Sequence, residues 1–411
     1  MSFEVLVLII VFVLLMIINV PIAFCLLAGA AASLMLSSDF IPVVTGMAQQ
    51  TATGIDSFVL LAIPFFILAG MLIGRGGIAR RIINFAMSLI GWMPGGLAYV
   101  NVLGSMLFGA ISGSAAAAVS AIGAFMIPSM TKKGFTREFS TALTITASTT
   151  GLLIPPSNIL IVYSLACGGL SIAALFLAGY LPGVLVGIFL MSVVAVKAFR
   201  KGEKLGQRVK FLVVLKNFIS ALLSLILVFI VIGGIVAGIF TATEAAAVAV
   251  VYAFILSVLV YREVKITDLP DILIKTVTTT AIVMLLVGCS VAMSWVMAYL
   301  SIPQNISAAL LSLSDNKIVI MLLINMILLF VGMFMDMTPA VLIFTPIFLP
   351  VVVNLGFDPI HFGIIMVLNL CIGLTTPPVG TLLFLGVSIG KTTVPKVIKP
   401  LLPLYIVMIL A

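Results

Sequence analysis

Residues 109–158 read GAISGSAAAAVSAIGAFMIPSMTKKGFTREFSTALTITASTTGLLIPPSN, and residues 331–380 read VGMFMDMTPAVLIFTPIFLPVVVNLGFDPIHFGIIMVLNLCIGLTTPPVG. One offset of 222 residues, without a gap, superposes Pro128 on Pro350, Gly134-Phe135 on Gly356-Phe357, Gly151-Leu152 on Gly373-Leu374 and Pro155-Pro156 on Pro377-Pro378. Chance does not hold so many breaker residues in one register, so the chain contains an internal repeat. Each copy opens with an apolar run interrupted by a short turn. It then passes through a loop into a helix-like segment broken at Gly-Leu and Pro-Pro. Proline has no amide hydrogen and biases its predecessor away from helical backbone, so the residue types themselves impose the breaks.

Working outward, the 411 residues are 63% hydrophobic and 8% charged, with a mean hydropathy of +1.41. A soluble domain is about half apolar and a quarter charged, so this is a polytopic membrane protein. The expected fold class is all-α, with two re-entrant hairpins and two broken helices. A net charge of +8 could suit nucleic acid, but no basic cluster lies beside stacking aromatics. The cations read instead as orienting charges in short loops, and nucleic acid is not expected as a partner. Cys25, Cys167, Cys289 and Cys371 show no CxxC spacing and read as small core residues. The N-terminus enters apolar sequence without a basic region, as a first span and not a cleaved signal would.

Residues 4–18 and 20–37 are expected to cross separately, because one helix of their combined length would overrun a ~30 Å hydrocarbon core. The polar stretch 37–56 has no Lys or Arg and is assigned outside; Phe58–Ile73 ends at Arg75, Arg80 and Arg81 and is assigned inward. Residues 78–92 keep apolar groups at helical spacing, so a helix along the membrane surface is expected, its arginines meeting anionic headgroups. In residues 100–128 each arm about Ser112-Gly113-Ser114 is too short to cross, which predicts a hairpin with its tip at mid-membrane. Lys132, Lys133 and Arg137 place its entry on the cytoplasmic side. The broken segment runs from Thr136 to about Ala166, and residues 173–199 return to the basic loop 200–210, the clearest cytoplasmic mark in the chain. Spans over 211–238, 243–261 and 272–299 follow. Around the second hairpin, residues 301–316 and 354–358 lack Lys and Arg, and Lys317 stands alone, so this copy enters from outside. The repeat is therefore inverted.

The resulting division is 1–56 scaffold helices, 57–98 span and interfacial arm, and 99–170 first hairpin and broken helix. It continues with 171–261 scaffold helices, 262–316 span and second arm, 317–390 second hairpin and broken helix, and 391–411 a C-terminal span. Lys391, Lys396 and Lys399 are assigned inside. The last apolar run meets Ala411 without a polar flank, so either that span is short or the chain is cut there.

Interrupted segments at matching positions of two membrane halves point to a transporter's midplane site. A helix broken in mid-membrane turns positive N-terminal ends toward anions and unwound carbonyls toward cations. Ser112, Ser114, Thr149 and Asn158 in one copy, and Asp336, Thr338, Thr375 and Thr376 in the other, add hard oxygens that suit Na⁺. The same small residues also permit close helix packing. Asp336 is the repeat mate of Ser114 and the one carboxylate expected at a hairpin tip; it could ligate Na⁺, carry a proton or cap the following helix. Thr241-Ala-Thr-Glu244 reads as a capping box. Gly390-Lys391-Thr392-Thr393 lacks the upstream glycine of a phosphate loop, which would fall at Leu385, so no ATP site is expected. His361 is the one histidine and has no nucleophile motif to serve.

The runs ISGSAAAAVSA, GLLIPPSN, GLTTPPVG, TATEAAAVA and GMFMDMTP resemble the large membrane subunit of the tripartite ATP-independent periplasmic (TRAP) transporters, over essentially the whole chain. The resemblance implies an elevator-type secondary transporter of the bacterial inner membrane, similar in fold to Na⁺-coupled divalent anion symporters. It implies as partners a small four-helix membrane subunit and a periplasmic substrate-binding protein, with no organic cofactor. Carried over by motif, one Na⁺ site would use Ser112, Ser114 and the carbonyls of Gly151, Ile154 and Pro155. A second would use Gly332, Asp336, Thr338, Gly373, Thr376 and Pro377. Substrate would lie between them, against Ser114, Asn158, Thr338 and Thr375. Several relatives have an acid where this chain has Ala118, so no role for that acid carries over. The resemblance favours import of an organic acid: sialic acid first, then C4-dicarboxylates or sugar acids. A stand-alone Na⁺/anion symporter and, from another class, a membrane-embedded hydrolase are the rival readings.

Overall fold

A computed structural model describes residues 3–200, 202, 205–206, 209–314 and 316–411. Lys201, Glu203, Lys204, Gln207 and Arg208 of the basic loop lie outside the described residues. Among those described, every regular element is a helix. Among the described residues, seven helices are long and apolar enough to cross a membrane, and two further pairs qualify as bent segments, one of them Arg137–Leu153 with Asn158–Ala166 at 51°.

The helices follow the repeat. In the first copy, α1 (Phe3–Ile17) and α2 (Ile22–Leu34) form a pair broken where Asn19 takes a positive φ of 65° ahead of Pro21. Next come α3 (Phe40–Ile55), α4 (Ala62–Arg75) and the short amphipathic α5 (Ile78–Ile90). Then α6 (Gly96–Ser112) and α7 (Ala115–Lys132) make the first hairpin. The broken segment is α8 (Arg137–Ser148), the single turn α9 (Thr150–Leu153) and α10 (Asn158–Ala166), and α11 (Ile172–Arg200) follows it. The second copy supplies α12 (Phe211–Val236), α13 (Ala242–Phe254), α14 (Leu269–Tyr299) and α15 (Ile302–Leu313). It then gives the hairpin α16 (Lys317–Gly332) and α17 (Met337–Asn354), the broken segment α18 (Pro359–Gly373) and α19 (Thr381–Gly390), and α20 (Val394–Leu410). The offset read from the sequence carries both ends of α7 onto both ends of α17. Both Pro-Pro bonds, Pro155-Pro156 and Pro377-Pro378, are cis.

Two expectations need correction. The stretch 37–56 is not merely a polar connection, since most of it is α3, with Val43, Met47 and Gly54 buried and its length packed on α14. Gly54 permits a close approach there, since a Cβ on it would stand 2.8 Å from Val291 Cβ. The segment equivalent to the unbroken α14 is thus split at Asp56-Ser57 into α3 and α4. The arginines after α4 are also largely engaged by the protein itself. Arg75 pairs with Asp271, which takes Lys275 Nζ at 3.0 Å as well. Arg81 lies 3.6 Å over the Tyr261 ring and 3.9 Å from Glu263. Arg80 is exposed, and among the described residues it has no such partner. The capping box is present, with Thr241 N donating to Glu244 Oε2 at 2.8 Å and Glu244 N to Thr241 Oγ1 at 3.3 Å.

Within each copy, hairpin and broken segment cross backbone to backbone. A Cβ on Gly151 would fall 2.5 Å from Gly109 Cα, and one on Gly373 2.7 Å from Gly332 Cα. Farther along, Asn101 Nδ2 donates to Thr144 Oγ1 at 2.7 Å between α6 and α8, and Asn369 Nδ2 to Asn325 Oδ1 at 2.8 Å between α18 and α16. The two copies meet where Cys371 Sγ approaches the carbonyl of Thr149, its own repeat mate, at 3.7 Å. Gly151→Ala is expected to cost about 1–3 kcal/mol through overpacking and to lower the melting temperature in detergent. Gly74→Ala, with nothing within 4 Å of the added methyl, is expected to leave it unchanged; equal effects of the two would refute the close-crossing account.

Candidate functional site

The hairpin tips and the helix breaks open on one cavity of about 370 Å³. Four helices begin there. Ser114 to Ala117 start α7, Asn158 and Ile159 start α10, Asp336 to Thr338 start α17, and Thr381 and Leu382 start α19. A helix N-terminus carries unpaired amides and about half a positive charge, so four of them aimed at one space give it a positive potential made of backbone. Among the described residues no Lys, Arg or His lines the cavity, and Asp336 is the one charged side chain. Further wall comes from α4, through Ile63, Ile67, Gly70 and Met71, from α14, through Thr279 and Val283, and from Leu152, Val162 and Leu374. Gly70 lets α4 ride close to the first tip, since a Cβ there would lie 2.8 Å from the carbonyl of Ser112.

Each tip is seated on the break of its own copy. Gly113 has φ +60°, and a Cβ on it would meet the carbonyl of Pro156 at 2.5 Å, so the tip needs glycine for both conformation and approach. At the second tip, the amide of Val379 donates to the carbonyl of Met333 at 3.2 Å. The repeat mates Ser114 and Asp336 are both N-caps but act differently. Ser114 Oγ accepts from Ala117 N at 3.3 Å. Asp336 makes no side-chain capping bond. Its Oδ1 instead accepts from Thr381 Oγ1 at 3.2 Å, and the carboxylate stays open to the cavity.

Of the residues singled out from sequence, Ser112, Ser114, Asn158, Asp336 and Thr338 line the cavity together. Ser112 Oγ donates to the carbonyl of Ser114 at 3.5 Å. Thr375 does not line it: the residue is fully buried, its Oγ1 donates to the carbonyl of Ile372 at 2.8 Å, and its own carbonyl accepts from Tyr405 Oη. Thr376 Oγ1 also donates to the Ile372 carbonyl, at 2.7 Å. Gly151, Ile154, Pro155, Gly332, Gly373 and Pro377 lie behind the cavity at the two crossings and breaks. Because Pro155 has no N–H, the Gly151 carbonyl loses its helical donor; at the second break the Gly373 carbonyl is met by Thr376 N at 2.9 Å. Thr381 and Thr279 were missed in the sequence. The strict offset pairs Asn158 with Gly380, so the side chain at the start of α19 sits one residue late, at Thr381, and the PPVGT run was the available signal.

A family model described as "Tripartite ATP-independent periplasmic transporter, DctM component" matches residues 9–411. The chain is 51% identical to the Salmonella typhimurium protein YgiK, covering 96% of this chain and 91% of that one. It is 40% identical to the Vibrio cholerae sialic acid TRAP transporter large permease SiaM, over 95% and 92% of the two chains. It is 39% identical to the isethionate TRAP transporter permease DctMQ of Oleidesulfovibrio alaskensis, over 97% of this chain and 62% of that one. Among solved structures, the Alcanivorax borkumensis YdaH transporter superposes with a TM-score of 0.63 at 14% identity, over 92% of this chain and 88% of that one, a likeness of fold.

In a background lacking the partly exposed Cys167, cysteines placed at Ser114 and Thr338 are expected to react with a water-soluble maleimide. A cysteine at the buried Thr375 is expected to react at least tenfold more slowly. Equal labelling at all three would mean that the cavity is drawn wrongly.

Proposed function

Because this multi-pass membrane chain belongs to the DctM component family of tripartite ATP-independent periplasmic transporters, we propose that it is the large permease of a Na⁺-driven importer of an organic acid, fed by a periplasmic binding protein. The observation that carries this reading is the convergence of four helix N-termini on a cavity without a basic side chain. Such a site attracts an anion through backbone dipoles, and the carboxylate of Asp336 beside it requires a cation for balance. The oxygens available suit Na⁺: a first ion at Ser112, Ser114 and the carbonyls of Gly151, Ile154 and Pro155, and a second at Asp336, Thr338 and the carbonyls of Gly332, Gly373, Thr376 and Pro377. Hard oxygen donors without thiolate or imidazole are what alkali and alkaline-earth ions prefer. Bound there, Na⁺ supplies the charge that lets the anion and Asp336 share one cavity.

Substrate lies between Ser114 and Asn158 on one side and Thr338 and Thr381 on the other. Sialic acid is the first candidate, consistent with the Vibrio cholerae relative's name, and isethionate, C4-dicarboxylates and 2,3-diketo-L-gulonate are the other acids that relatives name. Hairpins and broken segments move together past α4 and α14 and their neighbours, carrying the cavity from one face of the inner membrane to the other. A small membrane subunit completes the stationary part.

The test is uptake of radiolabelled sialic acid into proteoliposomes holding the chain and its small subunit, with the Na⁺ gradient and the binding protein varied independently. Uptake that needs both is the expected result, and Asp336→Ala is expected to lower it at least a hundredfold. Uptake with Na⁺ alone would make this a stand-alone symporter. Full uptake in the Asp336→Ala variant would remove that residue from the mechanism, and no uptake of sialic acid alongside uptake of a dicarboxylate would replace the substrate.

A further inference from the structure

A second cavity, of about 400 Å³, shares no lining residue with the first and lies where the start of α8 meets the end of α11 and the start of α20. Among the described residues, three lysines line it, Lys197 from α11 and Lys396 and Lys399 from α20, against one carboxylate, Glu138 of α8. The rest of the lining is largely apolar, with Phe139, Val193, Pro400 and Pro403. Lys197 is held in place, its ammonium 3.5 Å from the centroid of the Phe139 ring, and that ring stacks on Phe135 at 6.1 Å. Lys396 and Lys399 are exposed at the mouth. Lys132, Lys133 and Arg137 belong to the adjoining turn between α7 and α8.

The repeat shows that this feature is particular to one side. The mates of Lys396 and Lys399 are Ala174 and Leu177 at the start of α11, and those of Thr136 to Phe139 are Asp358 to His361 at the start of α18, so none of these mates is a lysine. The first copy's end of the fold therefore has a basic pocket that the second copy's end lacks. By the charge bias of the loops this end faces the cytoplasm, where the leaflet carries anionic phospholipid. Three ammonium groups above an apolar wall match a phosphate joined to a hydrocarbon chain, the one chemistry that presents both at the depth of a helix end. Free phosphate would satisfy the lysines and leave the prolines and Val193 against water.

We propose that the cavity between α8, α11 and α20 holds the headgroup of an anionic phospholipid, with its phosphate at Lys197, Lys396 and Lys399 and its first methylenes against Val193 and Pro403. The site joins the first arm of one broken segment to the helices that follow both broken segments, so an occupied site ties those three elements at the membrane surface.

Native mass spectrometry of the full chain, delipidated and titrated with phosphatidylglycerol, tests this. The unsubstituted chain is expected to retain one phosphatidylglycerol in preference to phosphatidylcholine. A K197Q/K396Q/K399Q variant is expected to bind it about a hundredfold more weakly, from the contribution of each basic residue near an anionic surface. K132Q/K133Q, outside the cavity, is expected to bind as the unsubstituted chain does. Should the triple variant lose its monodisperse elution, Lys399→Gln alone is read instead, with about a fivefold loss expected. Undiminished retention in the variants overturns the proposal. So does displacement of the lipid by millimolar inorganic phosphate, which would make the cavity a site for the free anion.

Discussion

Backbone that leaves the helix inside a membrane must find its hydrogen-bond partners within the protein, because lipid offers none. This chain meets that constraint by setting each unwound tip on the unwound break of its own copy. The Gly113 turn presses on the carbonyl of Pro156, and the carbonyl of Met333 takes the amide of Val379. Glycines at the crossings bring the backbones close enough for this to work, Gly109 against Gly151 and Gly332 against Gly373. The polar pairs Asn101–Thr144 and Asn325–Asn369 then fix each hairpin to its broken segment farther from the tips. In a membrane such bonds average only about 0.6 kcal/mol each, so they align the elements more than they stabilise them.

The cavity is a by-product of the same arrangement. Four helices that must begin in mid-membrane turn their first amides to the same space, and α4 and α14 close it with mostly apolar side chains. A potential made in this way is fixed in position and has no protonation state of its own, unlike a lysine or histidine. Asp336, the one titratable group among the described lining residues, is held by the hydroxyl of Thr381 from the break of its own copy.

The hairpins, the breaks and their pairing were legible because Gly, Pro and short polar turns have few alternative uses in apolar sequence. What the residues face was not. Thr375 and Thr376 look like ligands beside a break, yet their hydroxyls turn to the Ile372 carbonyl, and sequence does not say which side of an unwound turn meets the cavity. Thr381 was hidden by a one-residue slip between Asn158 and its counterpart. The partners of Arg75 and Arg81 are Asp271 and Glu263, nearly two hundred residues onward, so a basic cluster read as lipid-facing closes on the protein's own acids. Helix α3 escaped notice because its exposed side carries Gln49 and Thr53, so the stretch reads as polar although Val43, Met47 and Gly54 are buried.

The seating of each tip on a break from its own copy has a consequence for biosynthesis. By the time the chain has been made as far as α11, the first copy already contains both partners for its exposed mid-membrane backbone. It can close those polar groups in the translocon's vicinity before the second copy emerges, and the second copy can repeat the step on arrival. Joining the halves then asks only for contacts between finished surfaces, such as the approach of Cys371 to Thr149. An ancestral single copy would have met the lipid with the same self-sufficiency, which is the condition under which duplication can yield a paired protein without redesigning either half.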